Sequence, residues 1–245
     1  MPSQPNLSGH RVLVPGGTGT VGEGVVRQYL AAGAEVVVPT RSPERAAQFR
    51  GLLGPAATSH LHLVVHDYTT FEGAEDLAAQ TEQRLGGIDD VVAPIGGFWG
   101  GRRLWEIDEA DWQGAFVELA TTHLAVLRAC LPRLNPDGAY LVVVGGSAFT
   151  PVPGSGLVSM EQAAVAMMQR VAAAELGGRP RVFGLVLGPV RTRDAGDPDP
   201  GQVTADQIGA VAVAASAATS VDGQQLQLGS QAEAGQVLAR LGVAA

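Results

Sequence analysis

Lysine is absent from this chain of 245 residues: all 16 of its basic side chains are arginine, so no site can rest on a side-chain ammonium group. Cysteine is almost absent as well. The single Cys130 excludes an internal disulfide, and its place in an apolar helical stretch reads as buried filler. Aromatic residues make up 5% of the chain. Positive charge is scarce, with 16 basic against 24 acidic residues and a net charge of −8. No basic stripe is available to neutralise phosphates, which excludes a nucleic-acid surface. No apolar run reaches the length a membrane span requires. Residues 1–8 lack the basic-then-apolar layout of a signal peptide and read as a flexible tail, so the expected setting is cytoplasmic. No metal site is assigned.

What is present is a chain that is 46% hydrophobic, enough for one large α/β domain at residues 9–245 and too short for two comfortable ones. Short apolar, β-branched runs fall at residues 11–15, 35–39, 61–66, 88–94, 139–144, 182–187 and 224–228. Segments of helical spacing lie between them, at 21–32, 43–53, 72–85, 109–131, 157–176 and 205–217. Strands that are apolar throughout are covered on both faces. The alternation therefore predicts an α/β fold: a doubly wound, seven-stranded parallel sheet of Rossmann type, with ligands at the carboxyl ends of the strands. Two loops, 96–103 and 191–202, leave the sheet at that edge. The second, rich in Pro, Asp and Gly, fits either a lid over a pocket or an acidic surface loop.

The first strand runs into Gly16-Gly17-Thr18-Gly19-Thr20-Val21-Gly22 and then a helix. Glycines at 16, 19 and 22 let backbone approach a pyrophosphate at the positive end of that helix. An NAD site wants an acidic residue at the end of the second strand, to accept from the ribose hydroxyls. Here that place holds Thr40-Arg41-Ser42, with an arginine suited to a 2′-phosphate, so NADP(H) is expected in preference to NAD(H). Asp67, ending the third strand, is placed either to accept from an adenine amino group or to cap the next helix.

These landmarks together resemble the short-chain dehydrogenase/reductase family from about residue 11 to residue 228. The stretch from Asp111-Trp112 to Leu131-Pro132 resembles the family's long interface helix. Leu187-Gly188-Pro189-Val190-Arg191-Thr192 resembles the turn that touches the nicotinamide amide, which gives Pro189, Val190 and Thr192 a cofactor role beside Gly96. The resemblance fails at the catalytic positions. The Asn-Asn-Ala-Gly segment is Ala93-Pro94-Ile95-Gly96, the helix asparagine falls on Leu119, and the active-site serine falls at Gly145 or Gly146, with Ser147 close by. The Tyr-x-x-x-Lys pair falls on Val158 and Gln162.

Carbonyl reduction needs a proton donor beside the oxygen, and Val158 cannot donate. General acid–base catalysis contributes roughly 10²–10⁴-fold, so residual reductase activity is expected to be weak, altered or absent. Four side chains are candidates to stand in: Ser147, Glu161, Gln162 and His123. Gln162 can also bond the nicotinamide ribose. The bland alternatives are that Glu161 is an exposed helix charge, Ser155 a helix cap, and His123 a partly buried interface residue. Arg102, Arg103, Arg191 and Arg193 ring the same edge, to hold an anion or simply to be solvated. The helix at 157–176 is apolar on nearly every side, which points to a partner subunit covering it; the resemblance implies a homodimer or homotetramer through this helix and helix 109–131. Three functions fit: an oxidoreductase with an altered proton donor, a cofactor-binding sensor or regulator without turnover, or a structural subunit.

Overall fold

The computed structural model describes residues 5–192 and 199–242. Its main sheet carries β1 (Arg11–Leu13), β2 (Glu35–Thr40), β3 (Leu61–Val65), β4 (Ile88–Ala93), β5 (Leu134–Gly145), β6 (Arg181–Leu187) and, as the last strand, β9 (Gln225–Leu228). All pairs are parallel, in the order β3-β2-β1-β4-β5-β6-β9. Period-two alternation sorts the core into two layers: Val12, Val14, Val36 and Val38 face one side, Leu13 and Val37 the other. The first side is covered by α1 (Thr20–Ala31), α7 (Ala205–Ala217) and α8 (Gln231–Arg240). The second is covered by α3 (Phe71–Leu85), α5 (Glu118–Cys130) and α6 (Gly156–Leu176). The doubly wound, seven-stranded sheet expected from the sequence is therefore present.

Four local features depart from the sequence reading. Leu7, expected within a flexible tail, is buried and its amide donates to the Ala32 carbonyl at 2.8 Å, because the end of α1 leaves an apolar slot there. The long helix is not uniform: α4 (Glu109–Trp112), opened by a capping box on Asp108, passes through a π-helical turn at Gln113–Val117 before α5 begins. Taken whole, the stretch Glu109–Arg133 is long and apolar enough to cross a bilayer by length and composition, contrary to the reading that no such run exists. In the fold one face of it is buried, with Thr122, His123, Ala125, Val126, Ala129 and Cys130. The loop at 191–202 is bounded by a two-stranded parallel sheet, β7 (Val190–Arg191) with β8 (Val203–Thr204), and Gln231 Nε2 donates to the Pro200 carbonyl at 2.6 Å. The middle of that loop, with Arg193, lies outside the described residues, as do the first four residues of the tail.

Two contacts outside the cavity walls hold the layers in place. Gly24 and Gly209 sit where α1 crosses α7. A Cβ on Gly24 would overlap the Ala205 backbone, and one on Gly209 would lie 2.5 Å from the Gly24 carbonyl oxygen. Arg181 is fully buried at the start of β6. Its guanidinium donates to the carbonyls of Ala215 (2.6 Å), Ser216 (3.0 Å) and Ala218 (3.1 Å) at the end of α7, and to the backbone carbonyl of Asp137 (2.9 Å). A cation there satisfies the helix's last carbonyls and opposes its negative end.

Candidate cofactor and active site

The glycine turn joins β1 to α1 at the carboxyl edge of the sheet. Gly16 has φ +84°, and a Cβ on it would lie 2.5 Å from the Pro94 carbonyl oxygen, so both conformation and space require glycine. A Cβ on Gly22 would overlap the Gly16 carbonyl oxygen, which is the close helix–strand packing that the third glycine permits. Gly19 is the N-cap of α1 and supplies no side-chain cap. The first-turn amides therefore lack the partner that a Ser or Asp would give and suit an anion. The cradle fits a dinucleotide.

Three adjoining cavities follow the sheet edge. The first, about 360 Å³, is lined by Gly16, Thr18 and Gly19 on one side and by Arg41 on the other. Arg41 is exposed. Arg45, one turn into α2 (Pro43–Leu53), lines the same cavity and was missed in the sequence; its i+4 spacing from Arg41 was the available signal. Thr40 is buried and donates to the Ser42 carbonyl at 3.0 Å, while Ser42 Oγ caps α2 by accepting from the Arg45 amide at 3.2 Å. These two residues shape the turn that presents both arginines.

Asp67 is not the cap of α3; Thr70 is, accepting from the Gly73 amide at 3.0 Å. Asp67 instead accepts from the Thr69 hydroxyl (2.7 Å) and amide (3.0 Å), which hold its carboxyl below the usual range. It lines a neighbouring cavity with Arg41, His66 and Thr69. Tyr68, also unforeseen, is half-buried against the first cavity; burial pushes its phenol up, opposed by the Gly16 backbone.

The second cavity, about 560 Å³, brings together Thr20, Val21, Gly96, Val190 and Thr192 as the sequence proposed, with Ser147, Val158 and Gln162 beside them. Pro189 lines the third cavity, about 430 Å³, which shares Ser147 and Val158 with the second. Leu119 lines the first cavity, beside Ile95 and Thr122. A Cβ on Gly145 would lie 3.4 Å from Ser147 Oγ and 3.5 Å from Gln162 Oε1, so these two oxygens converge at the end of β5.

Of the four stand-in candidates, Ser147 and Gln162 reach the cavity wall; Glu161 and His123 lie behind it, in the interior. Gln162 is largely committed. Its Oε1 accepts from the Gly145 amide, and its Nε2 donates to Glu161 Oε2 at 2.6 Å. Glu161 is not an exposed helix charge but 1% exposed, because α6 turns that position towards α5. His123 is not partly buried but fully so; its Nε2 lies 3.1 Å from the Ile95 carbonyl and 3.7 Å from Glu161 Oε1. Desolvation pushes the Glu161 carboxyl up to about 7 and the His123 imidazole down to about 4. Ser155 occupies the N-cap position of α6, but its side chain makes no cap bond. Arg102 is paired with Asp108 and Asp111, Arg103 lies 5.5 Å over the Trp105 ring, and neither lines the three cavities. Arg191 sits half-buried in β7.

The comparisons with known proteins agree with this geometry. The family model described as enoyl-(acyl carrier protein) reductase matches residues 17–228. A cis-2,3-dihydrobiphenyl-2,3-diol dehydrogenase of Paraburkholderia xenovorans (strain LB400) is 28% identical over 192 residues, covering 76% of this chain and 68% of the relative. A Burkholderia cenocepacia short chain dehydrogenase in complex with NADP superposes with a TM-score of 0.79 at 21% identity, over 91% of this chain and 98% of that one. The apo short chain oxidoreductase of Pseudomonas aeruginosa PAO1, described as containing an atypical catalytic center, gives a TM-score of 0.79 at 22% identity, over 91% and 97%.

Proposed function

The chain belongs to the short-chain dehydrogenase/reductase family, and from that premise we propose that it binds NADP(H) in preference to NAD(H) and is an oxidoreductase whose proton-transfer set has been replaced. The observation that carries the cofactor preference is the Arg41–Arg45 pair lining one cavity with Thr18 and Gly19, with no acidic residue at the end of β2. Two guanidinium groups match the charge and fork geometry of a 2′-phosphate. When bound, the cofactor supplies or accepts hydride at the nicotinamide end. Thr192 and Val190 would hold its amide side, Gln162 fixes the Gly145 backbone beside it, and Ser147 would present a hydroxyl donor.

Val158 leaves that hydroxyl without an acidic neighbour, so reduction of a saturated carbonyl is slow. The name of the Paraburkholderia relative, a ring-diol dehydrogenase, supports the oxidoreductase class. A second reading, an NADP(H) sensor or regulator without turnover, is favoured by Leu119, Val158 and the committed Gln162. On the same reading the protein acts in the cytoplasm as a homodimer or homotetramer through α5 and α6, without nucleic-acid or membrane partners.

A fluorescence titration of Arg41→Ala and Arg45→Ala tests the preference. Each lost charge-assisted bond weakens NADPH binding about ten- to a hundredfold and leaves NADH nearly unchanged. Equal losses for both cofactors would sink it.

A further inference from the structure

Resting on the cofactor-binding reading above, we infer that the third cavity takes a neutral, planar ring molecule bearing a conjugated oxygen, a quinone or its hydroquinone, in preference to a saturated ketone or an anion. The cavity wall is Phe98, Val152, Val158, Leu187 and Pro189, broken by the hydroxyl residues Ser147, Thr150 and Ser155. No ionisable side chain lines it among the described residues. An anionic group placed there would lose its hydration without gaining a partner. The nearby Arg102 does not supply one, being held by Asp108 and Asp111. Size agrees: an apolar cavity of about 150 Å³ holds one benzene ring, so about 430 Å³ holds two or three fused rings. Phe98, 89% exposed at the mouth, offers a ring face for offset stacking.

The oxygen is selected by acidity. Hydride addition to a saturated carbonyl leaves an alkoxide that must be protonated at once, and the position facing it is Val158. The nearest carboxyl, Glu161, is turned inward onto Gln162. A hydroquinone oxygen is phenolic, and a phenol ionises near pH 10 (about the value of tyrosine), far below an alcohol, so the oxygen left by hydride is a weak base whose transient charge needs only a hydrogen bond from the Ser147 hydroxyl until water protonates it. Reduction of a quinone held there would use the hydride of a bound reduced nicotinamide: the nicotinamide C–H bond would break, one quinone oxygen would gain an O–H bond and the ring become aromatic, and the other oxygen, left as phenolate, would take a proton from water as the nicotinamide is left oxidised.

The full-length protein, without cofactor, is titrated with 1,4-naphthoquinone and with its 2-sulfonate, read by quenching of the tryptophans, of which Trp99 adjoins Phe98. The neutral quinone binds at least tenfold more tightly than the sulfonate. Val152→Asp, at a position 43% exposed, abolishes that binding, and Val152→Leu restores it. With NADPH present, the quinone is reduced at least a hundredfold faster than 1-decalone after subtraction of the uncatalysed rate. Equal binding of the sulfonate, no quenching by the quinone, or equal reduction of the decalone overturns the inference. Failure to bind NADPH overturns the cofactor reading instead, and the cofactor-free titration still decides what the cavity accepts.

Discussion

Glu161 and His123 lie 3.7 Å apart in the interior with their ionisation pushed in opposite directions, to about 7 and about 4. The Glu161 carboxyl has an ordinary value of 4.5, so between pH 4.5 and 7 the folded chain binds more protons there than the unfolded one, and stability falls as pH rises. His123 has an ordinary value of 6.5, so between pH 4 and 6.5 the unfolded chain binds more protons there, and stability rises with pH. The two slopes oppose each other over most of the acid range. Only Glu161 acts from pH 6.5 to about 7, and its penalty stays above that. Glu161→Gln removes one slope: melting temperature gains most at pH 8, and between pH 4 and 6.5 it climbs with pH more steeply than in the parent. Melts at four pH values check this, and parallel curves would refute it. None of this was legible in the sequence, where Glu161 reads as a helix surface charge. Its burial depends on which face of α6 meets α5, and α6 is too uniformly apolar for periodicity to say.

At the scale of elements, the crossing of α1 and α7 shows how the same substitution changes sign with context. An exposed helix glycine replaced by alanine gains up to about 1 kcal/mol in helix propensity. A Cβ on Gly51, in α2, would meet nothing within 4 Å, so Gly51→Ala stabilises. Gly24→Ala destabilises, by about 1–3 kcal/mol, because the new methyl group overlaps the Ala205 backbone and the helices must part. Urea midpoints of the two variants moving in the same direction would contradict this. The glycine turn itself was legible, because strand, turn and helix follow one another within a dozen residues. Tyr68 was not, since it reaches the cofactor cavity from beyond β3, a separate element.

The molecule as a whole leaves an apolar face open. Met160, Met167 and Val171 stand on one side of α6 at exposures of 42%, 52% and 45%, with Leu124 of α5 at 45%. If two copies cover this face, Met167→Glu converts the assembly to monomers by light scattering and lowers the melting temperature, since the covered state no longer adds its binding energy to folding. A parent protein that is monomeric at tens of micromolar would end the homo-oligomer reading.

Sequence alone determined the βα alternation, the glycine turn and the loss of the tyrosine–lysine pair, because each is written in local spacing and residue type. Only tertiary structure decided what stands behind that loss. The Gly145 amide is satisfied by Gln162, Gln162 by Glu161, and Glu161 faces His123, across residues from β5, α6 and α5. Tertiary packing also left Ser147 on the wall of a neutral cavity while turning the carboxyl away from it. The physical reason is range. Propensity and turn chemistry act over a few residues, whereas burial, desolvation and the orientation of a carboxamide are fixed by neighbours distant in the chain.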